Sequence, residues 1–144
     1  MVTFNRNTIF KAVFDALKDD STITASATVT AAYHDDDPAS FPQVVVSPVD
    51  VPRISENFFA SSFSQHPIVV VVDVFALDTK TLDELSDLVV KRMALINFGS
   101  SLSLQDVNES YAYNNVLIGR ESVKRNLHNR VLSFSLLGYG DWLS

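Results

Sequence analysis

Ten residues from Ile68 to Leu77 (IVVVVDVFAL) carry a single charge and run almost directly into Thr79–Phe98 (TKTLDELSDLVVKRMALINF), where apolar residues recur at helical spacing. A β-branched run this apolar must be covered on both faces, either by helices or by a helix on one side and another chain on the other. The chain has 144 residues and offers few helices, so the cover of the second face is the question this sequence poses. Asp73 sharpens it. A carboxylate inside such a strand needs a partner or a solvent-facing position, and the open face near the strand's end is the simplest place for it.

Around this block the pattern predicts a helix over residues 5–19, with Ile9, Phe10, Val13, Phe14 and Leu17 on one stripe and Asn5 or Asn7 as its cap. Thr22–Tyr33 (TITASATVTAAY) suits a strand with a loose start, and Gln43–Ser47 (QVVVS) a short buried one stopped by Pro48. Between them, His34–Pro42 (HDDDPASFP) reads as an exposed loop. Val49–Pro67 holds two prolines, several serines and Phe58, Phe59 and Phe63, with no clean period. It is long for a connection and reads as an extended arm, a loop ordered by a partner, or a lid folded back over the core. Asp78 or Thr79 can cap the second helix; Leu82, Leu85, Leu88, Val89, Arg92, Met93 and Ile96 form its stripe, and Gly99 is placed to end it. Lys91 and Arg92 fall near its C-terminus, where cations suit the dipole. Strands are expected over Ser101–Val107, Asn114–Val123 and Asn129–Leu137, with a polar turn around Arg125–His128. The whole is one α/β (α+β) domain over residues 1–144: a mixed, mostly antiparallel sheet, two helices packed on one face, and an extended arm over 49–67.

Composition narrows the function. Hydrophobic residues make up 47% and charged residues 19%, so either part of the surface is buried in an assembly or the chain is a rather apolar monomer. The net charge of −6 disfavours general attraction to nucleic acid or anionic membrane. That charge is uneven: residues 1–90 carry 5 basic and 13 acidic side chains, whereas residues 91–144 carry 6 and 4. An acidic face of one subunit can thus meet a basic face of the next, head to tail. With no cysteine, disulfides and thiolate chemistry are out. The spaced charges of the N-terminus do not suit a signal peptide, and no stretch approaches a membrane span.

Catalytic and cofactor motifs are not found. His34-Asp35-Asp36-Asp37 is the densest group of metal-type ligands, but it lacks the spacing, glycine and terminal glutamate of a calcium loop and reads as a solvated acidic loop. His34, His66 and His128 lie in three separate segments, so a zinc site is not expected. No Gly-x-Ser-x-Gly elbow occurs, and four glycines cannot build a phosphate loop or dinucleotide fingerprint. The one basic cluster, Arg120, Lys124, Arg125, His128 and Arg130, suits contact with a partner's acidic surface or DNA phosphates, or is simply an exposed charged hairpin.

The order of elements carries a resemblance. An amphipathic helix (NTIFKAVFDALKDD) leads through a proline-bearing loop to a short strand (FPQVVVSP), an arm, a long strand (HPIVVVVDVFALD), a helix (TLDELSDLVVKRMALI) and a closing strand (HNRVLSFSLLGYG). Over nearly its whole length this resembles the tail terminator or tail completion proteins of long-tailed phages and related viruses. The resemblance implies a virion structural protein rather than an enzyme, with no catalytic, cofactor or metal residues. It would be assembled in the host cytoplasm as a hexameric ring that ends the tail tube and joins tail to neck. Its partners would be further copies of itself, the tail tube protein and the neck or connector protein, with DNA only passing through the lumen. It implies an interface role for the Phe58, Phe59 and Phe63 arm and allows Asp35, Asp36 and Asp37 to face the lumen. Arg120, Lys124, Arg125 and Arg130 would serve partner contact. Another neck component (adaptor or stopper) and a small α/β enzyme or ligand-binding domain remain as rivals.

Overall fold

A computed structural model describes residues 3–4, 6–31, 41–50, 65–98, 102–117, 124–139 and 141–142. In chain order the elements are β1 (Thr3–Phe4), α1 (Arg6–Asp19), α2 (Ser21–Thr24), β2 (Thr28–Ala31), β3 (Gln43–Val46), β4 (Gln65–Ala76), α3 (Thr79–Ala94), β5 (Leu102–Leu117), β6 (Lys124–Tyr139) and β7 (Asp141–Trp142). Five strands make one sheet in the order β2-β3-β4-β6-β5. Only β2 and β3 pair in parallel; the other three pairings are antiparallel. A separate parallel pair joins β1 to β7. The expected mixed, mostly antiparallel sheet is what the chain forms.

The apolar run takes the centre of that sheet, as β4, flanked by β3 on one side and β6 on the other. Period-2 alternation then decides the core. Ile68, Val70, Val72, Val74 and Ala76 are buried on one face, beside Val44 and Val46 of β3 and Leu132, Phe134 and Leu136 of β6, which the register places opposite them. Ile9, Val13 and Leu17 of α1, Ile23 of α2, and Leu82, Leu85, Val89 and Met93 of α3 complete the same cluster, so the helices share that face. Burying side chains of this size contributes roughly 1.5–3 kcal/mol each.

Several expectations need correction. Thr22–Tyr33 is not one strand. The Asp20 carboxylate accepts hydrogen bonds from the backbone N–H groups of Thr22 and Ile23, nucleating one helical turn, and β2 starts only at Thr28. Asn7 lies within α1 rather than capping it, and Asn5 is outside the described residues. Helix α3 ends at Ala94, before Gly99, closing with short backbone bonds from Leu95 to Arg92 and from Ile96 to Met93. Strand β4 begins at Gln65, so the last residues assigned to the arm belong to the sheet; Pro67 lies beyond the last described pairing on the β3 side, the Asp50–Val69 bridge. The expected turn at Arg125–His128 is instead continuous strand, and β5 runs through 108–113, which carried no assignment. Where three strands were expected after α3, two long ones and the short β7 are found.

Candidate assembly surface

The two strands of the β5–β6 hairpin outrun the sheet. Strand β4 ends at Ala76, opposite His128, whereas β6 begins at Lys124 and stays paired with β5 out to Leu117. Four residue pairs, Asn114–Leu127 to Leu117–Lys124, therefore form a two-stranded ribbon past the end of β4.

Aromatic and charged side chains gather at the base of this ribbon. A register shift between Leu104 and Asp106 puts Val107, Glu109, Tyr111 and Tyr113 on the helix-side face of β5, opposite Phe134, Leu132, Arg130 and His128. Tyr111 Oη and His128 Nδ1 share a hydrogen bond at 2.7 Å. The His128 ring stacks on Tyr111 (6.0 Å, 25°) and meets Tyr113 at a tilt (5.2 Å, 50°). Both tyrosines stay about half exposed, at 51% and 50%. Beside them, Arg130 Nη1 lies 2.7 Å from Asp83 Oδ1, tying β6 to the first turns of α3. With Asp83 exposed, that tie is worth at most about 1 kcal/mol.

Asp78, the N-cap of α3, closes the group. Its carboxylate accepts from the Thr81 backbone N–H at 2.8 Å and from the Thr81 hydroxyl at 2.9 Å. Those two bonds, with smaller help from His128 and Lys80, hold its carboxyl below the ordinary aspartate value.

The second face of the sheet contrasts with the first. On β4 it carries Val69, Val71, Asp73 and Phe75, all half-buried; on β6, Val131, Ser133, Ser135 and Leu137; on β5, the exposed Asp106, Asn108, Ser110 and Ala112. It closes toward β3, at Gln43 and Val45, and at Leu127 of β6. Among the described residues no helix packs on it. Asp73 sits on this face, as expected, three residues from the end of β4 and between Val45 and Val131.

The residues singled out in the sequence fare unevenly. Phe58, Phe59 and Phe63, Asp35, Asp36 and Asp37, and Arg120 lie outside the described residues. Lys124 and Arg125 occupy the ribbon's outer end, while Arg130 lies at its base, paired with Asp83. Arg92 also has a neighbour within the chain: its Nε donates to the Ala16 carbonyl at 3.2 Å, clasping α3 to α1. Tyr111 and Tyr113 carried no functional assignment, although two tyrosines at alternate positions are themselves a strand signal. A shallow groove of about 330 Å³ lies elsewhere, between the start of α1 and the Pro48–Val49 segment, lined by Arg6, Asn7, Phe10, Pro48 and Val49. No group of three or more potential metal ligands occurs among the described residues, and no described helix is long and apolar enough to cross a membrane.

No protein-family profile matches the chain. No curated protein sequence matches it either. Among solved structures it is similar to a chain from the virion of a native gene transfer agent particle, with 14% sequence identity and a TM-score of 0.61, covering 96% of this chain and 100% of that one. At that identity the likeness is one of fold.

Proposed function

We propose that this chain is a structural protein of a tailed virus or virus-like particle. In this reading it forms a hexameric ring that ends the tail tube, joins the tail to the neck, and leaves a lumen through which DNA passes. The observation that carries the proposal is the shared fold, end to end, with a component of a gene transfer agent virion. Two features of the surface support it. The second sheet face is half-exposed although its central strand is rich in valine, which suits burial against a neighbouring subunit. The β5–β6 ribbon projects past the sheet, where it can reach another molecule. The role is mechanical, so no residue is assigned to catalysis. Asp35, Asp36 and Asp37 are assigned to the lumen, where their charge would repel DNA and let it slide.

The test is deletion of the gene in its own particle system, with electron microscopy of the products and native mass spectrometry of the purified chain, alone and with tail tubes. Tails of uncontrolled length that fail to join heads, restored by a six-copy ring at the tube end, are expected. Normal particles without the protein would overturn the proposal. A ring located on the head side of the neck would instead make the chain an adaptor or stopper.

A further inference from the structure

We propose that the outer end of the β5–β6 ribbon of one copy docks on the aromatic, acidic base of the ribbon in a second copy. This deepens the ring reading, and rests on it, by naming the contact between subunits. The base presents Tyr111 and Tyr113 around His128, with Asp78, Asp83 and Glu109 beside them. Including the exposed Lys80–Glu84 pair and Arg130, the base holds four carboxylates against two cations, a net charge of −2. The outer end is its complement: NNVL on β5 and KRNL on β6 carry Lys124 and Arg125 and no acid, a net charge of +2. The connecting residues 118–123 (IGRESV) add one arginine and one glutamate, leaving that balance unchanged.

Along the paired ribbon the outer end and the base of one copy stand apart. Lys124 lies four residues beyond His128, roughly 13 Å at the rise of a strand. That exceeds the screening length of about 8 Å at physiological ionic strength. Half-exposed tyrosine rings flanked by carboxylates are suited to lysine and arginine, through ring-face attraction as well as charge. The docking patches differ, so the contact is heterologous and propagates head to tail, closing into a ring where the rotation allows.

The test is sedimentation velocity on the full chain across a salt series, with binding to tail tubes measured in parallel and the melting temperature as a folding control. Lys124→Glu with Arg125→Glu, and separately Glu84→Lys with Glu109→Lys, should each weaken self-association about tenfold or more, most strongly at low salt. Combining all four should recover most of the loss. Tyr111→Ala with Tyr113→Ala should weaken association while leaving its salt dependence in place. Wild-type rings indifferent to both reversals, or reversals that fail to rescue one another, would overturn this contact and leave the ring reading standing. A chain that never self-associates, alone or on tubes, would overturn both. A two-copy exchange of ribbons would support the contact and overturn the hexamer.

Discussion

Asp78 shows how much one side chain can set. As N-cap of α3 it supplies acceptors for the Thr81 backbone N–H and hydroxyl, and these bonds keep its carboxyl below the ordinary value of 3.8. A carboxyl lowered by folding adds stability above its unfolded value, and that stability is lost as pH falls through the lowered folded value. Asp78→Ala should therefore cost about 1 kcal/mol at neutral pH, with the difference from wild type shrinking below pH 3.8. Asp78→Asn should retain most of the cap and lose this pH dependence. Urea unfolding at neutral and acid pH measures both; an alanine variant as stable as wild type at neutral pH would refute the cap's contribution. This cap was legible because its signal is local: an aspartate ahead of a helical stripe. Ser86 was not. It is fully buried in α3, and its hydroxyl donates to the Leu82 carbonyl at 2.6 Å, a backbone acceptor that leaves no mark in the sequence. Arg92 is the long-range version, with its acceptor at Ala16.

Among the elements, β5 holds the most information that periodicity missed. Leu104 and Val107 both face the core although three positions apart, because Gln105 is the extra residue at the register shift. Deleting Gln105 should leave every other pairing in place, with little change in thermal stability beyond loss of its hydrogen bond to the exposed Ser103 hydroxyl. Deleting Asn108 should instead shift Tyr111 and Tyr113 to the opposite face and abolish the tyrosine contacts with His128. Near-UV circular dichroism and thermal melts separate the two variants; equal damage from both would contradict the observed register. The misplaced turn at Arg125–His128 has the same origin. Arg125, Asn126 and His128 read as a turn because they are polar, but the segment pairs with β5 as continuous strand and buries Leu127.

For the molecule as a whole, the one-sided helical cover was readable from two amphipathic stripes and one apolar strand, and it holds. The state of the second face was not readable, because it depends on what lies across it rather than on what lies along the chain. Gln43 and Val45 are buried there, while Thr28 on the edge strand β2 and Ala112 on the opposite edge strand are exposed, so burial on this face peaks inside the sheet. Sequence pattern alone supplies the composition of such a face and not its surroundings.

The position of β4 between β3 and β6 has a kinetic consequence. Its partner on one side is complete before β4 is reached in the chain, but the partner on the other, pairing Asp73 with Val131, lies far downstream, beyond α3 and β5. The β5–β6 hairpin can close locally, whereas β4 has to wait for it, because long-range pairing carries the larger loop-closure cost. Until then, one edge of a valine-rich strand stands open, with Asp73 as the lone charge inside the run guarding it against misplaced pairing. Pulse-labelled hydrogen exchange during refolding should find the amides of β5 and β6 protected ahead of those at the β4–β6 junction. Asp73→Val should divert refolding chains to aggregate at concentrations where wild type returns to the native fold; simultaneous protection and clean refolding of the variant would show that the strand is never left waiting.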